Sequence, residues 1–423
     1  MRSPLAVFRH LTLKPQGIII VISAFLPIFA IVTMFPALPS IIQHFGDNPN
    51  ARELVPLMVS APGLAIAIAA PFAGFFVDRF GRIPLLVWAT FFYGVFGTAP
   101  FFLDNLPLIF ATRLLLGVCE AAILTVVNTL IGDYWDDKGR RDWLFLQGVA
   151  GPLLASAVIR IAGPVTELRW NGIFLIYGVA FVIFVLMKLF LFEPKKEKAP
   201  AIIPDITAPP PPDAGPFPVK SMILVGGVTL FASALYYVFI ISGGLVFREI
   251  GVTSPSQISK LSALPSLFVM LGALVFRMLG GQPNGVQLGS FFLLLCGGLL
   301  MMGLAESIPF LVAGLIVQQI GVGMSVPSLI AWTQTKLPFE HRGRGLGIWT
   351  ACFFFGQFSS PWLVARAEGI TGSVRGAFVV AGAAGLVAAA IGLFSGLGKR
   401  STAVEPTKTA QIPRSGTTES DSA

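Results

Sequence analysis

GFFVDRFGRIP, residues 74–84, places three charged side chains between two long apolar runs. The flanking runs, near residues 54–74 and 84–103, carry no charge. Each has about 20 residues, which is the length that a helix needs to cross the hydrocarbon core of a bilayer. The stretch is therefore predicted to be a tight polar connection between two membrane-spanning helices. Its charged residues are Asp78, Arg79 and Arg82.

Composition indicates that most of the chain lies in a membrane. Hydrophobic residues make up 55% of the 423 residues and charged residues 12%, whereas a soluble domain carries roughly 25% charged residues. The net charge of +8 lies in short segments between apolar runs, so it favours a role in membrane topology over nucleic-acid binding. The three cysteines lack metal-ligand spacing and are interpreted as small buried hydrophobes, so no metal site is expected.

Apolar runs of transmembrane length recur along the chain in two groups of six. They predict an all-α membrane protein with twelve transmembrane helices. The predicted spans are residues 16–42, 54–74, 84–103, 107–131, 143–163, 171–192, 221–246, 259–280, 286–305, 309–333, 345–366 and 376–397.

The two groups of spans define two halves of the chain. The N-terminal six-helix bundle is assigned to residues 1–192 and the C-terminal bundle to residues 221–398. Residues 193–220 are polar and rich in proline, which predicts an exposed linker. Residues 399–423 are polar and rich in Ser and Thr, which predicts a disordered tail.

The distribution of Lys and Arg predicts the orientation in the membrane. These residues are concentrated in the two terminal segments, the linker and the connections on the same side, and they are scarce on the other side. Because positively charged connections stay in the cytoplasm, both termini, the linker and residues 74–84 are predicted to be cytoplasmic.

The two groups of spans also resemble each other weakly in sequence. Pro107 and Pro309 each open the fourth span of their group, and the second spans end alike, with Arg79 matching Arg277. Two six-span repeats with the same orientation place a substrate site near the membrane midplane, at the interface between the halves.

The pattern G-x-x-x-D-R-x-G-R in residues 74–82 resembles the loop signature of the major facilitator superfamily of transporters. The chain departs from that signature at Phe76, where the family usually has Leu, and at Ile83, where it usually has a basic residue. The matching residues are Gly74, Asp78, Arg79, Gly81 and Arg82.

Further segments carry the same resemblance in the same order. RLLLGVCEA, residues 113–121, is similar to the fourth-span pattern of the family, and Asp133 with Arg140 is similar to the acidic and basic pair after that span. Residues 35–41 and 337–361 resemble bacterial drug-exporter-like members. The resemblance covers most of the chain and implies two pseudo-symmetric bundles that work by alternating access.

The resemblance gives the polar connections a gating role. A carboxylate and two guanidiniums at a membrane face can pair across helices instead of being desolvated alone. Asp78, Arg82 and Asp133 are therefore predicted to form a cytoplasmic latch that is closed when the transporter opens outward. The alternative is that these charges only set the topology and solvate a loop. The same gating loops contain Gly74, Arg79, Gly81, Arg140 and Arg342.

Arg113 and Glu120 are ionisable residues within predicted span four, seven residues apart on one face, and Asn128 lies near the same face. A charge at mid-bilayer costs roughly 2.5–3.5 kcal/mol, so these side chains are expected to face the protein interior. Glu120 is interpreted as a proton-coupling group. The alternative is a structural Glu–Arg pair that holds helices together. Many drug antiporters of the family carry an acid in span one, and this chain has none between Gln16 and His44.

Other polar groups within the spans are weaker candidates. Arg160 either extends to the outer interface or adds positive charge to the N-terminal cavity, which would favour an anionic substrate. In the C-terminal half, amides and Tyr hydroxyls are expected to face inward, either as contacts between helices or as substrate contacts. These residues are Tyr236, Tyr237, Gln318, Gln319 and Gln357.

These patterns predict a secondary transporter of the bacterial inner membrane that exports small amphipathic compounds or drugs, driven by the proton gradient. No phosphate-binding loop or cluster of catalytic residues is found, so neither a cofactor nor an enzymatic activity is expected. The alternative function is uptake or exchange of an organic anion or a sugar-like metabolite, and a remote alternative is a membrane sensor or scaffold without transport. The expected partners are a small-molecule substrate and the lipid bilayer, and a monomer is expected.

Overall fold

The computed structural model describes residues 15–135, 137–193 and 216–396. Within these ranges every regular element is an α-helix or a short 3₁₀ helix. The basic N-terminal segment, residues 194–215 of the predicted linker and the predicted tail lie outside the described residues.

The described part of the N-terminal half consists of nine α-helices and three 3₁₀ segments at residues 70–72, 99–102 and 172–178. The α-helices are α1 (Pro15–Ser23), α2 (Leu26–Val32), α3 (Leu38–His44), α4 (Ala51–Ala69), α5 (Ala73–Phe80), α6 (Arg82–Thr98), α7 (Leu106–Tyr134), α8 (Asp137–Leu168) and α9 (Val179–Phe190).

The described part of the C-terminal half consists of seven α-helices and one 3₁₀ segment at residues 339–341. The α-helices are α10 (Val219–Glu249), α11 (Pro255–Ser266), α12 (Val269–Met278), α13 (Asn284–Gly303), α14 (Ile308–Lys336), α15 (Arg342–Thr371) and α16 (Val374–Gly396).

Eleven helical segments of the described ranges are long and apolar enough to cross a membrane. Helix α15 stands at the position of predicted span eleven and has 30 residues, which is long enough to cross. It is not among the eleven, because its uncharged stretch, residues 345–365, includes Gln357, Ser359 and Ser360 as well as several glycines.

The predicted first span is not one continuous helix. It is divided into α1, α2 and α3, with breaks near residues 24–25 and 33–37. Proline has no N–H to donate and clashes with the preceding turn, and Pro27, Pro36 and Pro39 lie at or near these breaks. At the second break the Met34 N–H donates to the Ile31 carbonyl at 3.2 Å, which is a tighter bond than that of an α-helix.

The predicted loop at residues 74–84 is also largely helical. Helix α5 continues to Phe80 and helix α6 begins at Arg82, so the turn between them is reduced to Gly81. Gly81 has a φ of 83°, a left-handed conformation that favours glycine. We call the end of the bundle that carries this turn the motif end, and the end at which α4 begins the opposite end.

The two halves use the same packing scheme. In the N-terminal half α6 packs against α7 and α9, and α4 packs against α7. In the C-terminal half α13 packs against α14 and α16, and α12 packs against α14. Each of these C-terminal helices corresponds to the predicted span six places after that of its N-terminal counterpart. The weak sequence repeat therefore corresponds to a repeat in structure.

The most extensive contacts between the halves are formed by two pairs of helices, α4 with α15 and α8 with α11. Small residues allow these helices to approach closely. Gly63 of α4 lies against Gln357 and the Phe354 carbonyl of α15. Gly163 of α8 lies against Ser259 and the Pro255 carbonyl of α11.

Candidate transport site

Helix α7 carries two charged side chains into the interior of the N-terminal half. Arg113 is 1% exposed and Glu120 is 2% exposed. Seven residues correspond to almost two full helical turns, so both side chains leave the helix on the same face.

The Arg113 guanidinium lies on aromatic rings. Its central carbon is 4.7 Å from the ring centroid of Phe174 and 4.8 Å from that of Tyr177. None of its three nitrogens makes a hydrogen bond of normal geometry within the described part of the chain. The rings therefore stabilise the positive charge through cation–π contacts and leave the guanidinium donors unused.

Glu120 forms no ion pair with Arg113 or with any other basic side chain of the described ranges. Its Oε1 atom is buried without a hydrogen-bond partner there. The direct Glu–Arg pair that was the structural alternative is therefore not formed in this conformation. A buried carboxyl group without a partner is costly when charged, which makes Glu120 a candidate for proton binding.

Two tyrosines of the N-terminal half lie beside these charges. Tyr93 and Tyr177 are fully buried, their ring centroids are 5.7 Å apart, and the Tyr177 ring contacts Arg113. Sequence reasoning missed Tyr93 and Tyr177. The available signal was that a buried Tyr hydroxyl needs a partner, but this signal does not identify the partner.

The hydroxyl groups of Tyr93 and Tyr177 bind the first span. Tyr93 donates to the Leu26 carbonyl at 2.6 Å and Tyr177 donates to the Ala30 carbonyl at 2.7 Å. The Thr33 hydroxyl lies 3.3 Å from the Tyr177 hydroxyl. These contacts tie α6 and the 172–178 segment to the broken helix.

Aromatic side chains of α10 and α15 form a wall in the C-terminal half. The Phe353 ring lies 5.8 Å from both Tyr236 and Tyr237 and stacks on Trp349 at 5.2 Å. The Trp349 indole N–H is buried without a hydrogen-bond partner in the described part of the chain. The site thus combines a charged N-terminal side with an aromatic C-terminal side.

A second group of charges lies at the motif end. Arg82 of α6 pairs with Asp133 of α7. Burial raises the pKa of Asp133, and the Arg82 guanidinium opposes this rise. The Glu193 carboxylate accepts the backbone N–H groups of Arg82 and Ile83, both at 2.9 Å, and so caps the N-terminus of α6.

Contacts at the opposite end join the two halves. Arg52 of α4 pairs with Glu368 of α15. The Arg248 guanidinium of α10 donates to the Pro39 carbonyl at 3.1 Å, and the Glu167 carboxylate accepts the Ser256 hydroxyl at 2.5 Å. We call these contacts the opposite-end gate. All three contacts are formed in this structure.

The sequence profile of the Major Facilitator Superfamily matches residues 20–284 and 227–419. The chain belongs to this superfamily. It is also similar to the "Efflux pump dotC" of Dothistroma septosporum, with 27% identity over 55% of this chain and 39% of that protein. The "Tetracycline resistance protein, class E" of Escherichia coli is 27% identical over 32% of this chain and 34% of that protein. The matched regions thus span well under half the length of these relatives.

Solved structures of superfamily transporters share the fold. A bacterial homologue of the human lysosomal transporter Spinster, inward-facing and occupied, has a TM-score of 0.73, with 12% identity over 90% of this chain and 96% of that chain. The inward-open xylose transporter XylE from E. coli has a TM-score of 0.69, with 13% identity over 89% of this chain and 95% of that chain. Together with the superfamily match, the eleven apolar helices identify a multi-pass membrane protein.

The remaining candidates of the superfamily gating motif lie near the charged group at the motif end. Gly74 and Asp78 are part of α5, but their side-chain surroundings lie outside the described part of the chain. Arg79 is exposed. Arg140 and Arg342 are half-buried and take part in further interactions. Glu193 was missed by sequence reasoning, because the residues that it caps lie more than a hundred positions earlier.

Asn128 and Arg160 do not join the buried charges. Asn128 is exposed on α7, because eight residues after Glu120 correspond to a rotation of about 80° beyond two full turns. Arg160 is exposed on α8. This exposure is compatible with extension to the interface and gives no support to a cationic cavity that includes Arg160.

The C-terminal amides lie at helix contacts. Gln318 and Gln319 are buried, and the Gln319 amide donates to Gln318 at 2.9 Å. Gln318 also lies against Gly298 of the neighbouring helix α13. Gln357 lies against Gly63 at the interface of the halves. These positions favour contacts between helices for Gln318 and Gln319, and place Gln357 at the interface between the halves.

Proposed function

We propose that this superfamily member is a proton-coupled exporter of small amphipathic compounds in a bacterial inner membrane. The observation that carries the proposal is Glu120, a buried acid without an ion-pair partner in the described part of the chain. The similarity to efflux pumps and to a tetracycline resistance protein supports the direction of transport.

The proposed topology has twelve spans with both termini in the cytoplasm. The twelfth span is α15, whose length suffices for a crossing and whose polar residues are placed against other helices. Gln357 and Gly356 of α15 are buried among α4 and α10. In this topology the motif end faces the cytoplasm, since the basic connections lie there.

Protonation of Glu120 is the proposed energy-coupling step. A neutral carboxyl group can remain in a dry interior, whereas a charged one seeks a cation. Arg113 rests on the Phe174 and Tyr177 rings, an arrangement suited to a neutral Glu120. When Glu120 loses its proton, Arg113 or a bound substrate is expected to supply the compensating charge. Different affinities of the inward- and outward-open states for the proton then drive alternation.

The aromatic wall supports an amphipathic substrate. Tyr236, Tyr237, Trp349 and Phe353 offer flat apolar faces in mutual contact, and the Trp349 N–H adds one unused donor. Largely apolar pockets with a few polar groups are typical of sites for small organic ligands. The wall contains no charged residue, so charge recognition falls to Glu120 and Arg113.

A second candidate function is uptake or exchange of an organic anion. The observation that favours it is the Arg113 guanidinium, whose three nitrogens have no normal hydrogen-bond partner in the described part of the chain. A carboxylate or phosphate of a substrate would match these donors in a bidentate geometry.

Proton flux in proteoliposomes that contain a pH dye tests both candidates. Amphipathic cations are expected to release protons in the wild type, and Glu120→Gln is expected to bind them without releasing protons. Glu306→Gln serves as the matched control, because Glu306 is an exposed acid. The export proposal fails if organic anions move while cations do not, and if Glu120→Gln behaves like Glu306→Gln.

A further inference from the structure

The second break of the first span leaves backbone carbonyls without their helical donors. The Met34 N–H donates to Ile31 instead of Ala30, and Pro36 and Pro39 have no N–H for Val32 and Phe35. The freed Ala30 carbonyl accepts the Tyr177 hydroxyl at 2.7 Å. The bend is thus held by a side chain from the 172–178 segment.

The same Tyr177 side chain also contacts the buried charge. Its ring centroid is 4.8 Å from the central carbon of the Arg113 guanidinium. Tyr177 is fully buried, so it cannot release either contact into solvent. A displacement of Arg113 toward Glu120 would remove a cation from the ring and free the ring to move.

The bend that Tyr177 holds packs against α10, the helix whose Arg248 contributes to the opposite-end gate. The Phe35 ring lies 5.0 Å from Phe239 and 6.4 Å from Phe247, both on α10. Gly244 of α10 packs directly on the Phe35 carbonyl. A change in the bend at residues 33–37 therefore alters the surface against which α10 closes.

Tyr93 resembles Tyr177 in its burial and in its hydrogen bond to the first span. It is fully buried, and its hydroxyl donates to a first-span carbonyl, Leu26, at 2.6 Å. Leu26 lies at the first break, away from the gate, and no cation–π contact joins Tyr93 to Arg113 within the described ranges. Tyr93 thus provides a matched comparison.

We propose that Tyr177 is a positioning residue that transmits the charge state of the Arg113–Glu120 region to the opposite-end gate through the bend at residues 33–37. The inference rests on the proposed proton coupling. Contact between neighbouring groups does not by itself establish coupling. The bend must therefore be shown to change when the charge state of Glu120 changes. The structure supplies the required physical contacts, one at the Tyr177 ring and one at its hydroxyl.

The test measures the distance across the gate in the full chain in lipid nanodiscs. Spin labels are attached at Asn50→Cys and Thr253→Cys, two exposed positions at the opposite end in different halves. The half-buried Cys352 is replaced by Ala, and Cys119 and Cys296 are buried. Pulsed spin-resonance distance distributions are recorded with and without Glu120→Gln, which imitates the protonated acid.

Glu120→Gln is expected to change the ratio of gate-open to gate-closed distances in the otherwise wild-type protein. Tyr177→Phe keeps the ring and removes the hydroxyl, and it is expected to reduce that change roughly five-fold, the size of one buried hydrogen bond. Tyr93→Phe is expected to leave the change intact. If the Tyr177 hydroxyl had a merely structural role, Tyr177→Phe would shift the distance distribution by the same amount with and without Glu120→Gln.

Two results would overturn the proposal in distinguishable ways. If Glu120→Gln changes the gate equally in Tyr177→Phe and Tyr93→Phe, Tyr177 is not the connection, and proton coupling stands. If Glu120→Gln changes the gate in no background and leaves proton flux unaltered, both the connection and the proposed coupling fail.

Discussion

The two ends of the molecule use their charges differently. At the motif end the Arg82–Asp133 pair and the Glu193 cap join helices of the same half. At the opposite end Arg52–Glu368 and the Arg248 contact with Pro39 join different halves. Arg82, Asp133 and Glu193 therefore stabilise the N-terminal bundle internally, whereas the described charges at the opposite end hold the bundles together.

Mutations at the two ends are therefore expected to have different consequences. Loss of a contact within a half lowers the stability of that half. The relative position of the two halves is then unchanged, because other contacts determine it. Loss of a contact between halves changes the balance between two conformations that are both folded. A measurement of stability and a measurement of the gate distance should therefore separate the two ends.

The largest effect is expected from Gly244→Val at the opposite end. A Cβ atom at Gly244 would meet the Phe35 carbonyl at 2.7 Å, closer than real Cβ contacts allow. Overpacking of this kind costs about 1–3 kcal/mol, which favours the open gate by roughly 5- to 150-fold. The spin-label distance between positions 50 and 253 is expected to lengthen.

Gly227→Val is the control for this prediction. Gly227 lies on the same helix, α10, and a Cβ atom there meets nothing within 4 Å. The control is expected to keep the closed gate and normal thermal stability. If Gly244→Val and Gly227→Val gave similar distance distributions, contact between α10 and the Phe35 carbonyl would not be what keeps the gate closed.

A smaller effect on stability is expected from Arg82→Gln at the motif end. Removal of the guanidinium leaves Asp133 part-buried without its ion-pair partner, at a cost of about 1 kcal/mol for a part-exposed group. The melting temperature of the purified protein is expected to fall, while the gate distance stays unchanged.

The pH dependence of that variant gives the sign of the electrostatic effect. Burial raises the pKa of Asp133 and Arg82 opposes the rise, so Arg82→Gln is expected to raise this pKa further. A carboxyl whose folded-state pKa is raised costs stability at higher pH, and the cost disappears as pH falls through that pKa. Arg82→Gln should thus regain stability on acidification, and the double variant with Asp133→Asn should lack this regain.

Local signals explain what could be predicted from the sequence. The spans follow from apolar runs, and the turn at residues 74–84 follows from glycines and charges that are neighbours in the chain. The superfamily followed from the same stretch and is confirmed by the profile match. Glu120 could be selected because an acid within an apolar run is costly wherever its helix packs.

Contacts between distant backbone and side-chain groups explain what could not be predicted. The partner of Tyr177 is a carbonyl that becomes free only when the first span bends at residues 33–37. Glu193 caps a helix that begins far earlier in the chain. The missing Arg113–Glu120 contact depends on the Phe174 and Tyr177 rings, which attract the guanidinium from another helix.

The smallest effect is expected from Arg52→Gln, although this residue joins the halves. The Arg52 side chain is 63% exposed, and exposed ion pairs contribute only about 0.2–1 kcal/mol. The gate distance should change slightly at low salt and not at all at high salt, because salt screens exposed charges. Arg169→Gln, which removes an exposed arginine that contacts Phe101 of its own half, should leave the gate unchanged. An effect of Arg52→Gln as large as that of Gly244→Val would mean that charge, rather than the fit of α10 on the bent first span, determines gate closure.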